Sequence, residues 1–494
     1  MTFLQDLKYK MLEKLKVYYN KLNSPVKASL WFTLCGFLQK GISMLTTPVF
    51  TRVMTETEYG QFATYNSWFS ILQIIISLNL AAGVYTRGLV KNKDDQPVFS
   101  SSMLGLSTTI IAAWALLYFI FQKPLNNFIG FPTLIMSALL IDIWAHAVFQ
   151  FWSNREREKY RYKKLVALTL TYVILRPTVS LVFVLSVSNQ NQMEARVIST
   201  ALVNLILFFG LFVIIQKSGK QFFSKKYWLY ALKFNLPLVP HYLSQVVLGQ
   251  SDRIMIAQMC SDSEAAFYSV AYTMAMVLQI LNISISSSMN PWIYKSIRDN
   301  KTDKIGKTSY AILGIIAVCN FLVVALAPEI LHILAPASYQ VAMWVIPPVT
   351  VSVYFMFLYD LFATFEYYFE KTHYVMLASL SGALLNVVLN LIFIKKFGFI
   401  AAGYTTLVCY ILYALCHYLF MRRVCRENLD NKKVYNPYII SGIALLLIIA
   451  SACVMLLYNF PVIRYSVIII TAVILVIKRN AIIKAVKSLK NKTE

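Results

Sequence analysis

Seven charged side chains interrupt long apolar runs of this 494-residue chain. They are Lys40, Asp142, Arg176, Asp252, Arg253, Asp360 and Glu366. An ionised group inside a lipid bilayer costs about 2.5 kcal/mol or more, so such groups usually mark a substrate pathway or an ion relay. Ammonium and guanidinium groups bind phosphate oxygens, whereas carboxylates hold protons or cations. These residues are therefore the first candidates for a site.

Spacing places one of the carboxylates beside a histidine. Asp142, His146 and Gln150 follow one another at intervals of four, so a helix would carry all three on one face. Imidazole titrates near neutral pH, which makes Asp142 with His146 the best candidate for a proton-sensitive pair. A buried, hydrogen-bonded histidine without such a role fits the same pattern, and both interpretations stay open.

Cations near the middle of apolar runs indicate an anionic substrate. Lys40 and Arg176 lie near such centres, and Arg176 precedes Pro177, which predicts a kinked helix. Arg253 is placed further toward one end, where snorkelling of the side chain would also explain it. Its neighbour Asp252 lies about 100° away around a helix, so the two cannot share a face. Asp252 is a third candidate for ion coupling.

Uncharged polar residues recur on helical stripes within the apolar runs. Asn66 and Gln73 share one stripe, and Tyr272 and Gln279 lie on another. They are candidates to line a polar cavity, although hydrogen bonds between neighbouring helices explain such residues equally well. A third stripe joins His241, Gln245 and Asp252 at intervals of four and seven.

Composition shows which elements must hold these residues. The chain is 58% hydrophobic with mean hydropathy +0.60, yet its net charge is +24. About 20 apolar residues span the roughly 30 Å hydrocarbon layer. The sequence therefore predicts an all-α integral membrane protein with fourteen spans, at about 29–51, 60–85, 99–121, 129–152, 165–187, 196–216, 230–259, 265–291, 308–327, 341–367, 374–394, 399–421, 438–458 and 462–477.

The basic residues predict the orientation of the spans. Most of the 46 Lys and Arg residues fall in alternate segments, as expected for cytoplasmic loops, which places both termini in the cytoplasm. Because these charges are spread over short membrane-flanking loops, they argue against a nucleic-acid surface. Residues 1–27 show the spacing of an amphipathic helix on the cytoplasmic surface. The seven cysteines have no metal-ligand spacing, and we expect neither a metal nor a cofactor.

A weak internal repeat organises the spans. Shifting the sequence by 206 residues sets Glu58 against Glu264 and Gln73 against Gln279, with the same order of spans. This predicts two parallel six-helix lobes with a site at their interface. The expected segments are a cytoplasmic amphipathic segment, the first lobe, a cytoplasmic linker, the second lobe, a carboxy-terminal helix pair and a basic tail, at 1–27, 28–216, 217–229, 230–421, 422–477 and 478–494.

Several short motifs resemble one transporter family. They are F-E-K-T from Phe369, the pair Asn386 and Asn390, F-G-F-I-A-A-G-Y-T-T from Phe397, F-Y-S-V-A-Y from Phe267 and D-R-I-M-I from Asp252. In their order and spacing along the chain, these motifs are similar to those of the Wzx-type polysaccharide flippases of the MOP superfamily. From the residues alone, the asparagines are expected to be helix-packing groups.

The resemblance implies a V-shaped two-lobe transporter that works by alternating access in the bacterial inner membrane. Its substrate would be an undecaprenyl diphosphate-linked oligosaccharide for surface polysaccharide such as O-antigen, and its lipid tail would stay among membrane lipids. Lys40, Arg176 and Arg253 would then attract the diphosphate. Coupling to a proton or sodium gradient is expected of the family, as are a polysaccharide polymerase and a chain-length regulator as partners.

Two other functions remain open at this point. A drug or cation antiporter of the related MATE group shares the repeat, but typically has twelve spans and a cavity dominated by acidic groups. A membrane glycan polymerase or ligase is the enzymatic alternative. Such enzymes typically carry a large external catalytic loop, whereas the longest predicted loop here has only about 17 residues. A transporter is therefore favoured over an enzyme.

Overall fold

The computed structural model describes residues 24–478, without the side chains of residues 24–26, 40 and 43. Within this part the chain forms α-helices joined by turns and short 3₁₀ segments, with no β-strand. Apart from residues 24–27 and 478, the predicted amphipathic segment 1–27 and basic tail 478–494 lie outside the described residues. The prediction of an all-α fold is confirmed.

The described residues form eighteen α-helices, numbered here in chain order. They are α1 (Ser24–Val53), α2 (Glu56–Ser77), α3 (Gly83–Lys91), α4 (Gln96–Ile120), α5 (Gln122–Ile129), α6 (Thr133–Glu158), α7 (Tyr162–Leu185), α8 (Gln192–Gly219), α9 (Lys225–Asn235), α10 (Val239–Met259), α11 (Asp262–Arg298), α12 (Asp303–Ala325), α13 (Ala327–Leu334), α14 (Ile346–Tyr368), α15 (Thr372–Phe397), α16 (Ile400–Asn428), α17 (Pro437–Leu456) and α18 (Pro461–Ile477). Short 3₁₀ segments lie at Asn189–Asn191, Leu236–Leu238 and Ala337–Trp344.

Many of these helices are suited to a bilayer. Among residues 24–478, ten helices are long and apolar enough to cross a membrane, and α18 is apolar but has 17 residues. The ten are α4, α6, α7, α8, α11, α12, α14, α15, α16 and α17. Each predicted span overlaps a helix, while the count of fourteen crossings remains a prediction. The protein is a multi-pass membrane protein.

Two predicted spans are shorter in the structure than in the sequence analysis. The span at 230–259 is divided by the 3₁₀ segment Leu236–Leu238, because Pro237 lacks the N–H that a continuous helix requires. The span at 60–85 ends at Ser77. Leu78 and Asn79 then adopt φ values of 49° and 50°, the left-handed region in which an α-helix commonly stops.

The chain forms two compact units. The first contains the described residues up to Ile42, with 72–187 and 194–239. Its core is aromatic: the rings of Tyr85 and Phe151 meet edge to face with centroids 4.6 Å apart, and Phe149 stacks on Phe208 at 4.9 Å. Such pairs add about 0.5–1.5 kcal/mol to the burial of their area. This core holds α3, α4, α6 and α8 together.

The second unit contains residues 43–71, 188–193 and the chain from Pro240 onward. Its central helix is α14, which packs against α11, α12, α16 and α17. Tyr354, Phe357 and Phe365 of α14 are almost fully buried in a core shared with these neighbours. Because α14 is enclosed on most sides, any polar group it carries needs a partner on an adjacent helix.

Within the second unit, the first turn of α2 lies against the first turn of α11. Thr57 and Ser263, which are 206 residues apart, share a hydrogen bond of 3.1 Å between their hydroxyls. Gln61 donates to the carboxylate of Asp262 at 3.0 Å. Gly60 permits this approach, because a Cβ at that position would lie 1.7 Å from the Asp262 carbonyl oxygen. Residues matched by the proposed repeat thus touch.

Candidate functional site

In the first unit, Asp142 and His146 lie on the same side of α6, as their spacing predicts. Asp142 is 2% exposed and accepts a hydrogen bond from the side-chain amide of Asn204 on α8. His146 Nε2 lies 2.8 Å from Gln150 Nε2. The imidazole is also within electrostatic range of Asp142 and Arg176. The structure therefore brings three of the predicted charged and titratable residues together.

Lys40 and Arg176 are the two cations predicted near span centres, and the structure describes the side chain of Arg176. Arg176 is half-buried, and its Nη1 donates to the hydroxyl of Tyr172 one turn earlier, at 2.9 Å. α7 continues through Pro177 to Leu185. Lys40 lies on α1, but its side chain is outside the described residues.

In the second unit, α10 directs a row of polar side chains toward α15 and α16. His241 Nδ1 lies 2.9 Å from the hydroxyl of Ser379 on α15, and Gln245 donates to the hydroxyl of Tyr413 on α16 at 3.0 Å. Asp252, further along, also contacts these two helices. The shared face predicted for His241, Gln245 and Asp252 therefore exists, and it points at the α15–α16 hairpin.

Asp252 is the centre of the largest buried polar cluster on this row. It is 0% exposed, and its carboxylate accepts three hydrogen bonds from three different helices. The donors are the Tyr268 hydroxyl at 2.5 Å, the Asn390 amide at 2.6 Å and the Thr406 hydroxyl at 2.8 Å. Three donors on one carboxylate favour its charged form and bind α10, α11, α15 and α16 together.

A second layer of side chains supports this cluster. Asn386 Oδ1 accepts from Ser251 at 3.0 Å and from Asn390 at 3.3 Å, and Thr405 donates to Asn390 Oδ1. Residues of four of the five motifs that resembled one family, although far apart in sequence, therefore meet at one place. Asn386 and Asn390 do connect helices, but they also contact or support Asp252, the single carboxylate of α10.

Arg253 makes no hydrogen bond to Asp252, but it lies against the ring of Tyr268, whose hydroxyl donates to that carboxylate. It is 8% exposed, and its guanidinium carbon lies 4.3 Å from the centre of the Tyr272 ring and 5.8 Å from that of Tyr268. Nη1 donates to the Gly249 carbonyl and to Gln250 Oε1. No carboxylate of the described residues lies within 4 Å of it. Aromatic faces rather than an anion thus hold this cation.

The remaining polar candidates make local contacts. Asn66 donates to the Phe62 carbonyl of its own helix at 2.8 Å and is only partly buried. Gln73 and Gln279 are likewise partly exposed. Tyr272 is the one of the four that the structure places against a predicted charged residue, Arg253. Among the described residues, no group of three His, Cys, Asp or Glu side chains is arranged to bind a metal.

One buried pair was not predicted. Glu366 of α14 and His417 of α16 are both 0% exposed, and Glu366 Oε1 lies 2.8 Å from His417 Nδ1. Glu366 was noted only as a charge near the end of a span, and His417 was not considered. The available signal was the histidine itself, since the chain has five and His417 interrupts an apolar run.

Solved structures with this arrangement of helices are membrane transporters. A lipid II flippase, MurJ, in an inward closed conformation aligns over 92% of this chain and all of its own, with a TM-score of 0.70 at 14% identity. An inward-facing multidrug resistance MATE family transporter of the MOP superfamily aligns over 80% of this chain and 99% of its own, with a TM-score of 0.61 at 12% identity. The fold is that of MOP-superfamily transporters.

The sequence comparisons identify the family. The model of the family described as polysaccharide biosynthesis protein matches residues 26–297, more than half of the chain, and the protein belongs to that family. The MatE model matches residues 237–392. Protein 1 of the Lsg locus of Haemophilus influenzae is 22% identical over 56% of this chain and 67% of its own length. An uncharacterized membrane protein of Methanocaldococcus jannaschii is 21% identical over 83% and 86%.

Proposed function

We propose that this protein moves undecaprenyl diphosphate-linked oligosaccharides from the cytoplasmic to the outer leaflet of the bacterial inner membrane by alternating access. Membership of the polysaccharide biosynthesis protein family carries this proposal, and the fold shared with a lipid II flippase supports it. The flipped units would serve surface polysaccharide synthesis, alongside a polymerase and a chain-length regulator. Both termini would be cytoplasmic, and the two six-helix lobes would be the moving parts.

The cations within the helices support a diphosphate substrate. Guanidinium groups bind phosphate oxygens through two parallel hydrogen bonds, and they do so most strongly where water is excluded. Arg253 meets these conditions: it is buried, rests on two tyrosines and forms no ion pair among the described residues. Arg176 and Lys40 would contribute the other positive charges, while Tyr272, Gln279, Asn66 and Gln73 would bond to sugar hydroxyls.

We also propose that an ion gradient drives the transport. Asp252 is a buried carboxylate with amide and hydroxyl groups on every side, and oxygen ligands of this kind suit a small hard cation. Its present partners donate hydrogen bonds to it, so Tyr268, Asn390 and Thr406 would have to turn their oxygens toward a bound ion. Asp142 and His146 offer a carboxylate and an imidazole on one helix face, which suits a proton. The ion could thus be sodium or a proton, and each has a candidate site.

The second candidate function is cation or drug antiport of the MATE kind. The match of the MatE model to residues 237–392 and the similarity to MATE structures favour it. An anionic lipid-linked substrate is favoured instead by the family match to residues 26–297 and by Arg253, a buried cation that forms no ion pair among the described residues. A glycan polymerase or ligase has less support, because the similar proteins of named function are transporters.

The test is surface glycan export in a strain deleted for the gene and complemented with variants. Lys40→Ala, Arg176→Ala and Arg253→Ala should each abolish export while the protein remains in the membrane, and lipid-linked units should accumulate on the cytoplasmic leaflet. Arg298→Ala is the matched control, because Arg298 ends α11 with a 68% exposed side chain beside Asp299. Full export by all three variants would refute the cation mechanism. Drug resistance conferred without any effect on glycan would favour antiport.

A further inference from the structure

Glu366 and His417 form an acid–base pair that has no contact with water. Their side chains are 0% exposed, and one hydrogen bond of 2.8 Å joins Glu366 Oε1 to His417 Nδ1. The pair connects α14, the central helix of its unit, to α16. A carboxyl and an imidazole buried together are stable chiefly as a pair of zero net charge, because a net charge in an apolar interior is costly.

Half of the hydrogen-bonding capacity of the pair is unused. Glu366 Oε2 and His417 Nε2 are buried and have no partner among the described residues. A pair that served only to join two helices would gain stability from partners for these atoms, since an unsatisfied buried polar atom costs about as much as a hydrogen bond contributes. By contrast, the carboxylate of Asp252 in the same unit accepts hydrogen bonds from three side chains. The free oxygen and nitrogen are instead positions where a proton can be gained or lost.

Two aromatic rings pack against the imidazole ring of His417. Tyr359 stacks on His417 with ring centroids 5.5 Å apart, and the edge of Tyr413 meets it at 4.7 Å. Tyr413 in turn accepts a hydrogen bond from Gln245 of α10. Aromatic packing of this kind fixes the position of the ring.

Other titratable side chains lie within electrostatic range of the pair, on each of the helices packed around it. One is an acid, two are imidazoles and two are phenols: Asp360 and Tyr367 on α14 with Glu366, His241 on α10, His373 in the first turn of α15, and Tyr413 on α16 with His417. A proton added to or removed from the pair therefore changes the charge within a larger titratable group.

We propose that Glu366 and His417 are the site at which this protein takes up and releases one proton in each transport cycle. The inference rests on the proposed flippase function and assigns its coupling ion. An ionised Glu366 with a neutral His417 accepts one proton from hydronium, which leaves water, and an N–H or O–H bond forms. Release breaks that bond and returns the proton to water on the other side. Burial favours the neutral pair, so protonation favours the conformation in which the pair is buried.

The test uses purified full-length protein in vesicles of phosphatidylethanolamine and phosphatidylglycerol, with an undecaprenyl diphosphate-linked disaccharide as the probe. A gradient of one pH unit should drive accumulation of the probe up to about tenfold for one proton per molecule. Glu366→Gln and His417→Gln, which retain a hydrogen bond but not the titration, should exchange the probe without responding to the gradient. Glu58→Gln is the matched control and should keep the response to pH. Glu58 is also a buried carboxylate, but it accepts a hydrogen bond from the Met193 backbone N–H and lies outside the pair.

The possible results separate the two proposals. A pH response that survives in Glu366→Gln would overturn the proton site, as would a wild type that moves the probe but responds only to a sodium gradient. Both results leave the flippase proposal intact, and the second would favour Asp252. A wild type that does not move the probe would refute the proposed function itself. If Glu366→Gln aggregates, a second measurement replaces it: the pH dependence of the infrared carboxyl band, compared between wild type and His417→Gln. If this pH dependence is lost in His417→Gln, the result supports the proton site. If the band of the variant behaves as in wild type, the result contradicts the proton site.

Discussion

Two acidic centres lie in the same unit and differ in how fully they are satisfied. The Asp252 cluster contains a carboxylate with three donors from three helices, and a second layer of amides and hydroxyls around it. Among the described residues, the Glu366–His417 pair has one hydrogen bond and two buried polar atoms without a partner, and aromatic rings pack against it. Both are 0% exposed. The two acidic groups are therefore equally buried but differ in the number of hydrogen bonds they accept.

The difference separates a carboxylate whose hydrogen bonds join four helices from a pair that has unoccupied hydrogen-bonding positions. Loss of the Asp252 carboxylate leaves three buried donors without their acceptor, which is costly. Loss of the charge of Glu366 still permits its single hydrogen bond to His417. We therefore expect Asp252 to respond strongly to mutation in its stability, and Glu366 to respond mainly in its function.

The largest expected effect follows from Asp252→Ala. Removal of the carboxylate leaves the Tyr268 hydroxyl, the Thr406 hydroxyl and the Asn390 amide without their acceptor in a buried site. Each orphaned donor costs about 1–3 kcal/mol, so the total should be about 3 kcal/mol or more. The denaturation midpoint of the purified protein in detergent measures it. Asp252→Asn, which keeps one acceptor oxygen, should lose less, and equal losses would contradict the account.

A smaller effect distinguishes the two asparagines of α15. Asn390 donates directly to Asp252, so Asn390→Ala should cost about 1.5–3 kcal/mol, the range for a hydrogen bond to a charged group. Asn386 instead accepts from Ser251 and Asn390, both uncharged, so Asn386→Ala should cost about 1 kcal/mol. The same denaturation assay compares them. A greater loss for Asn386 would mean that the supporting layer, not the carboxylate, holds the helices together.

Much of the fold could be predicted because hydropathy and charge act over whole helices. Each apolar run that was long enough for a bilayer overlaps a helix. In lipid the backbone can form hydrogen bonds only with itself, and a helix does this within one segment. The breaks at Ser77 and Pro237 were missed, because a run of apolar residues has no sharp end in composition. Local turn geometry at Leu78 and Asn79 decides the first of them.

The candidate site was only partly predictable, because helical spacing relates residues of one helix and not of two. The shared face of His241, Gln245 and Asp252 follows from intervals of four and seven. The pairing of Glu366 with His417 depends instead on how α14 packs on α16, which no periodicity within either helix encodes. The sequence therefore did not indicate that Glu366 in one apolar run contacts His417 in another.

Glu366→Gln should change stability by less than about 1 kcal/mol. The glutamine amide keeps a bond to His417 Nδ1, and Glu366 Oε2 has no partner to lose. The denaturation midpoint should stay near that of wild type even if transport loses its response to pH. A loss as large as that of Asp252→Ala would identify the pair as a helix clamp and would remove the contrast between the two centres.

The smallest effect is expected at an exposed acid–base contact on the same helix as His417. Glu427 accepts from Arg423 at 3.1 Å and lies 3.5 Å from Lys371 Nζ, but all three side chains are at least 36% exposed. Water and salt screen such contacts, so Glu427→Gln should leave the denaturation midpoint unchanged within error. A measurable loss would show that Lys371, in the turn before α15, helps to fix α16. The stability of the Asp252 cluster would then depend partly on this turn, because α15 and α16 supply two of its donors.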